Sequence, residues 1–109
     1  MTMPLPTPIA GYFAADSDRD DAAISQRFTE DAVVKDDGKL HTGREAIRTW
    51  MSESWKKYHA TTRPFAIANT GQATVVTCHV EGDFAGSPLD LRYHFVLEDD
   101  LIAQLEVTL

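Results

Sequence analysis

The segment from Leu89 to Glu98 reads LDLRYHFVLE, and its apolar and polar side chains alternate along the chain. Successive side chains of an extended strand point to opposite faces, so alternate residues share a face. One face of this segment is apolar and consists of Leu89, Leu91, Tyr93, Phe95 and Leu97. The other face carries Asp90, Arg92 and His94, which point mostly to water. The alternation predicts a strand of an antiparallel sheet with one buried face.

Three further segments alternate in the same way and extend the predicted sheet to four strands. They are residues 65–69, 72–84 and 101–109, and short connections containing Gly, Pro and Asp separate the segments. Short connections predict antiparallel neighbours. The inward face of the second segment would consist of Thr74, Val76, Cys78, Val80 and Phe84, and that of the last segment of Ala103, Leu105, Val107 and Leu109.

The most periodic stretch of the chain lies before this sheet. The residues Thr42-Gly43-Arg44-Glu45 have the form of a capping box, with Thr42 as the N-cap of a helix. The helix carries an apolar stripe at i, i+3 and i+4 spacing, formed by Ile47, Trp50, Met51, Ser54, Trp55 and Tyr58. Such a stripe is typical of a core face first and of a ligand-binding surface second.

The N-terminal part of the chain predicts two short helices and a short strand. Prolines at positions 4, 6 and 8 indicate an extended segment over residues 1–8, with Thr7 as the N-cap of the first helix. The acidic run Asp16–Asp21 separates the two helices. We interpret it as helix capping and solvation, because it lacks the glycine and distal glutamate of a calcium loop. Residues 32–35 predict a strand, which the turn residues 36–39 end.

Helices followed by an antiparallel sheet with one apolar face predict an α+β fold. In this fold the helix over residues 47–58 packs across the sheet. A chain of 109 residues has room for one core, so we expect a single domain over residues 9–109 after the extended segment.

Composition and charge exclude several classes of partner and site. Ten Lys and Arg against 17 Asp and Glu give a net charge of −7, which would repel nucleic acid and anionic membrane surfaces. Cys78 is the only cysteine, which excludes an intrachain disulfide and a multi-cysteine metal site. The four histidines show no i, i+4 pairing, so no metal site is expected. The cysteine usage, together with an N-terminus unlike a signal peptide, predicts a cytoplasmic protein.

Several stretches, taken with the order of the elements, resemble the nuclear transport factor 2-like superfamily. They are Tyr12, the segment Phe28-Thr29-Glu30-Asp31-Ala32-Val33-Val34, the helix start Gly43-Arg44-Glu45-Ala46-Ile47, and the strand Leu89-Asp90-Leu91-Arg92-Tyr93-His94-Phe95. The nearest branch is the SnoaL-like domain, related to polyketide cyclases and ketosteroid isomerase, and the resemblance covers nearly the whole chain from Ile9 onward. It implies a cone-like, curved antiparallel sheet wrapped around the N-terminal helices, with a pocket at the open end and a homodimer formed through the outer sheet surface.

The resemblance to ketosteroid isomerase implies candidate catalytic residues at Asp36, Tyr12 and Tyr93. That family has an oxyanion-hole tyrosine in its first helix and an aspartate general base at the end of its first strand, and these positions match Tyr12 and Asp36. Its second oxyanion donor, a protonated aspartate, corresponds to Tyr93 when one small gap is allowed. A carboxylate in an apolar cone can remove a proton beside a carbonyl, while a tyrosine hydroxyl stabilises the enolate that forms.

The first functional hypothesis is that the cone binds an apolar, carbonyl-containing small molecule and performs general acid–base chemistry. Isomerisation, aldol cyclisation and dehydration all begin with this proton transfer. The sequence contains no Gly-rich phosphate loop and no dinucleotide fingerprint, so the chemistry is expected to need no cofactor. The candidate substrate-binding residues are Val34, Trp50, Cys78, Val80, Phe84, Leu91 and Phe95.

Each candidate residue also has a purely structural interpretation. Asp36 belongs to an Asp-Asp-Gly turn, where its carboxylate could bind nearby backbone N–H groups. Tyr12 could be a core residue, and Cys78 is interpreted as a small buried hydrophobe. The second functional hypothesis is therefore a non-catalytic ligand-binding or dimeric interaction module of the same fold. The two hypotheses differ in whether large aromatic side chains leave the cone open.

Overall fold

The computed structural model describes residues 4–109, and it confirms the predicted α+β fold. The helices are α1 (Thr7–Ser17), α2 (Asp21–Ser25) and α3 (Arg44–Tyr58). The strands are β1 (Phe28–Asp36), β2 (Lys39–Thr42), β3 (Thr61–Thr70), β4 (Ala73–Glu81), β5 (Leu89–Glu98) and β6 (Leu101–Thr108). Within the described part of the chain, no helix combines the length and apolar character needed to cross a membrane.

One curved, six-stranded sheet has the strand order β2-β1-β6-β5-β4-β3. The strands β3 to β6 pair with their neighbours antiparallel, as the alternating segments predict. The pairing of β1 with β6 is parallel, so the expectation of a wholly antiparallel sheet is wrong at this position. The reason is that residues 37–100 lie between these two strands, so no short turn determines their relative direction.

The core lies between the inner face of the sheet and the helices. On the sheet side the alternation correctly predicts buried positions at Val76, Cys78 and Val80 of β4 and at Tyr93 and Phe95 of β5. The helices contribute buried side chains that include Ile9, Tyr12, Ile24, Ile47 and Met51. Each large apolar side chain buried in this way stabilises the fold by about 1.5–3 kcal/mol before the entropy of ordering it is subtracted.

The register of β6 differs from the predicted alternation. Leu97 pairs with Ile102 whereas Val96 pairs with Gln104, so Ala103 is the extra residue of a β-bulge. One inserted residue exchanges the two faces of a strand, and Ile102 is fully buried while Ala103 is only half-buried. The predicted inward position of Ala103 is therefore wrong. Leu109 was also predicted to face inward, but it lies beyond β6 and is largely exposed.

The helix starts differ from the predicted caps. The N-cap of α1 is Pro6 rather than Thr7, so Thr7 and Pro8 are helical and do not belong to an extended segment. Residues 1–3 of that predicted segment lie outside the described residues. At α3 the N-cap is Gly43, without a side-chain cap bond, because Thr42 is the last residue of β2 and pairs with Val33.

The acidic run caps a helix as predicted. The side chain of Asp20 accepts a hydrogen bond of 3.0 Å from the backbone N–H of Ala23 and begins α2. The strand β2, which was not predicted, follows a two-residue turn at Asp37 and Gly38, both of which have positive φ. The Asp-Gly pair suits such a hairpin turn, but Lys39 and Leu40 are exposed and show no buried face by which β2 could be recognised.

The end of α3 approaches the segment after β4 so closely that only glycine fits at position 82. A Cβ atom on Gly82 would lie 2.7 Å from the carbonyl oxygen of Tyr58 and 2.9 Å from Cα of Ala60. Both are backbone atoms, so we expect Gly82→Ala to lower the free energy of unfolding by about 2 kcal/mol in urea denaturation.

Gly71 provides the control, because a Cβ atom there meets nothing within 4 Å. Its φ of +74° is one that asparagine tolerates, so Gly71→Asn should change the stability by less than about 1 kcal/mol. An equal loss of unfolding free energy in the two variants would contradict the close approach of Gly82 to the backbone of Tyr58 and Ala60.

Candidate functional site

A cavity of about 450 Å³ lies between the helices α1 and α3 and the inner face of the sheet. Its lining comes from α1, the end of β1, α3, the segment after it, and the strands β3, β4, β5 and β6. Large aromatic side chains therefore line the cone without filling it. A cavity of this size is within the range of small-molecule sites.

All three candidate catalytic residues line this cavity. Tyr12 and Tyr93 are 2% and 8% exposed, and their ring centroids are 6.3 Å apart. Asp36 is half-buried at the end of β1, where it pairs with Lys39 of β2 and with Val107 of β6. The fold thus brings together residues that are far apart in the sequence.

The candidate substrate-binding residues divide into two groups. Trp50, Val80, Phe84 and Leu91 line the cavity. Val34, Cys78 and Phe95 do not line it, because they are fully buried in the core behind its wall. Burial raises the pKa of the Cys78 thiol to about 12, so Cys78 is a small buried hydrophobe, as interpreted, and not a thiolate nucleophile.

The Asp36 carboxylate is held by a tryptophan of α3. The indole Nε1–H of Trp50 donates a hydrogen bond of 3.0 Å to Oδ2 of Asp36. The alternative interpretation of Asp36 as a turn residue predicts hydrogen bonds from nearby backbone N–H groups, and the observed partner is instead the Trp50 side chain. A carboxylate offers about four lone-pair directions, so one indole bond orients the group and leaves it able to accept a proton.

The two tyrosines are neutral hydrogen-bond donors. Burial raises the pKa of Tyr12 well above its ordinary value, and the nearby Tyr93, Asp16 and Asp36 add to the rise. Burial likewise raises the pKa of Tyr93. The Tyr12 hydroxyl donates to the thioether sulfur of Met51 at 3.8 Å, and sulfur is a weak acceptor. A ligand oxygen would be a better partner for this hydroxyl.

Asp16 is a cavity residue that the sequence interpretation missed. It is 8% exposed, lines the cavity, and accepts a hydrogen bond of 2.8 Å at Oδ1 from the indole Nε1–H of Trp55. Burial raises the pKa of its carboxyl, although the bond from Trp55 and the charge of Arg19 act in the opposite direction. The sequence pattern places Asp16 in an acidic run that caps and solvates a helix start, whereas its position one helical turn after Tyr12 puts both residues on the same face of α1.

Arg19 completes the polar part of the lining. Its guanidinium lies 5.7 Å from the ring centroid of Trp55 and donates a hydrogen bond to the carbonyl oxygen of Ala60. Among residues 4–109, none of the ion pairs includes Asp16. Among the described residues, no three or more His, Cys, Asp or Glu side chains lie together in a way that could hold a metal ion.

Comparisons with known proteins show the family and the fold of the chain. A sequence profile of the SnoaL-like domain matches residues 9–105. A Sinorhizobium meliloti protein named as a candidate polyketide cyclase is 38% identical, with 95% of each chain covered and a TM-score of 0.92. No curated protein matches the chain.

Two more distant structures show the same fold. A Catenulispora acidiphila protein with a ketosteroid isomerase-like fold, solved with trimethylamine, is 17% identical, with 97% of this chain and 87% of that chain covered and a TM-score of 0.83. SalBIII, an epoxide hydrolase/cyclase-like enzyme of pyran ring formation in salinomycin, is 24% identical, with 93% and 86% covered and a TM-score of 0.72.

The raised pKa of Asp16 predicts a stability difference that depends on pH. The folded chain binds the Asp16 proton more tightly than the unfolded chain. The resulting stabilisation is complete below the unfolded pKa of about 3.9 and is lost as the pH rises through the folded pKa. We therefore expect Asp16→Asn, which cannot ionise, to be more stable than the wild type at pH 7.

Urea denaturation between about pH 4 and pH 7 measures this difference, which should narrow as the pH falls. Asp18 is exposed in the same acidic run, so Asp18→Asn is the matched control and should show no such dependence. An Asp16→Asn variant less stable than the wild type at pH 7 would contradict the buried, unpaired carboxyl.

Proposed function

The chain belongs to the SnoaL-like domain family, as its sequence predicts, and from that premise we propose that the cavity binds an apolar carbonyl compound and transfers a proton on it. Asp36 is the general base in this proposal. The observation that carries it is the shared lining of one cavity by Asp36, Tyr12 and Tyr93.

Asp36 has the position and the freedom that a base needs. Its carboxylate lies on the cavity wall, and the Trp50 indole fixes its orientation through one oxygen. A base positioned in this way removes a proton from the carbon beside a carbonyl, and the negative charge moves to the carbonyl oxygen.

Tyr12 and Tyr93 would stabilise that oxygen. Both phenols remain protonated because burial raises their pKa values, so each can donate to a developing enolate. The tyrosines lie in a largely buried environment, where a hydrogen bond to a charged oxygen is stronger than in water. The pair therefore supports an oxyanion site opposite the base.

The remaining walls favour an apolar ligand. Trp50, Val80, Phe84 and Leu91 present aromatic and aliphatic surface to the cavity. The names of two similar proteins include polyketide cyclase and epoxide hydrolase/cyclase-like enzyme, which supports chemistry on oxygenated carbon skeletons. Isomerisation, cyclisation and dehydration share the first proton transfer, which is the step that we propose.

A homodimer formed through the sheet is part of the proposal. Phe65 and Ile67 are 55% and 37% exposed on the edge strand β3, and a second chain would cover such apolar surface. Sedimentation velocity should give the mass of two chains, and the mass of one chain would contradict the dimer.

Exchange of the protons beside the carbonyl of benzylacetone in D₂O, followed by ¹H NMR, tests the base without knowledge of the natural substrate. We expect the wild type to accelerate exchange and Asp36→Asn to lose about 10²–10⁴-fold of that acceleration. The amide keeps an oxygen acceptor for Trp50, so the fold should be retained.

Asp31→Asn is the control, because Asp31 is exposed on the same strand and hydrogen-bonds to Thr29 rather than to a cavity residue. This variant should exchange protons at the wild-type rate. An Asp36→Asn variant with undiminished exchange, or a wild type that binds benzylacetone without exchange, would favour the non-catalytic binding module.

A further inference from the structure

The cavity contains a second buried carboxyl group that the proposed proton transfer leaves unused. Among residues 4–109, Asp16 and Ser25 are the two buried residues with a charged side chain or a small polar one. Buried carboxylates are ordinarily paired with a cation or made neutral. Within residues 4–109, the Asp16 side chain accepts one hydrogen bond, and its donor is the Trp55 indole.

The two carboxyl groups are held in matching ways by one helix. Trp50 donates to Asp36 at 3.0 Å, and Trp55 donates to Asp16 at 2.8 Å. Five residues of an α-helix span about 7.5 Å along its axis, so the two indoles hold the carboxyl groups at different levels of the cavity. A substrate that fills the cavity can therefore contact both.

Asp36 and Asp16 differ in burial, and this difference favours a base at Asp36 and an acid at Asp16. Asp36 is half-buried at the end of β1 and is the base of the proposed reaction. Asp16 is buried on α1, beside Tyr12 and without an ion-pair partner among the described residues. Burial raises the pKa of the Asp16 carboxyl despite the nearby charge of Arg19 and the bond from Trp55, and so favours the protonated form, which is a proton donor.

We propose that Asp16 is a second catalytic residue, a neutral carboxylic acid that gives its proton to a second oxygen of the substrate. This inference rests on the proposed function, and it narrows the substrate to carbonyl compounds with a further oxygen function near the acidic carbon. A hydroxyl or a second carbonyl in the β position meets that requirement.

The dehydration of a β-hydroxy ketone illustrates how the atoms and electrons balance. The C–H bond beside the carbonyl breaks, its proton goes to Asp36, and the electron pair is held as the enolate. The C–O bond of the hydroxyl then breaks, Asp16 gives its proton to the departing oxygen, and water leaves as the C=C bond forms. Asp36 ends protonated and Asp16 ends as a carboxylate, so one proton carried between them by water restores the site.

The test compares two probes that differ by one hydroxyl group. Benzylacetone has no second oxygen and reports only the proton removal by Asp36. The aldol adduct of acetone with benzaldehyde has the β-hydroxyl, and its conversion to benzalacetone is followed by ultraviolet absorbance. The Asp16→Asn variant keeps an oxygen acceptor for Trp55 but has no proton to give.

We expect Asp16→Asn to dehydrate the aldol adduct about 10²–10⁴-fold more slowly, a loss much larger than any loss of benzylacetone exchange, because only the dehydration uses the Asp16 proton. Asp16→Glu, which keeps an acid, should recover part of the dehydration rate. The control Asp18→Asn should be normal with both probes, because Asp18 is exposed.

The outcomes separate the two proposals. Dehydration at the wild-type rate in Asp16→Asn, or equal losses of exchange and dehydration, would overturn the role of Asp16 as an acid. Absence of benzylacetone exchange in the wild type would instead overturn the proposed function of Asp36. Urea denaturation of Asp16→Asn checks that the variant is folded under the assay conditions, so that a lower reaction rate does not come from unfolding.

Discussion

Two indole N–H groups on α3 determine how the cavity is built. A buried N–H group needs an acceptor, and Trp50 and Trp55 donate to the carboxyl groups of Asp36 and Asp16. One of these bonds ties α3 to the end of β1, and the other ties α3 to α1. The same contacts that satisfy the helix therefore orient the two acidic groups toward the cavity.

A large part of the fold follows from local patterns in the sequence. Alternation over residues 73–81 and 89–98 identifies the strands and their inner faces, because packing requires every second side chain to be apolar. The parallel pairing of β1 with β6 and the bulge at Ala103 do not follow, because each depends on contacts between distant parts of the chain. The exposed strand β2 has no apolar face and so gives no pattern to detect.

The candidate site was predictable only in part. The family resemblance indicates Asp36, Tyr12 and Tyr93, and all three line the cavity. The sequence does not indicate Asp16, because its acidic neighbours are typical of a segment exposed to solvent. One helical turn of α1 nevertheless places it beside Tyr12, where it accepts a hydrogen bond from Trp55. Burial disfavours the charged form of the Asp16 carboxyl group and so lowers the stability of the fold at neutral pH. Ionisable groups in functional sites commonly have this property.

In the proposed reaction the cavity holds an enolate oxygen between Tyr12 and Tyr93, with the reacting carbon beside Asp36. A crystal structure with a bound naphthol, a planar mimic of an enol, would test this arrangement. We expect the naphthol oxygen to lie about 2.5–3.0 Å from both tyrosine hydroxyls and the ring edge to lie against the Asp36 carboxyl group. A naphthol bound outside the cavity, or with its oxygen directed away from both tyrosines, would contradict it.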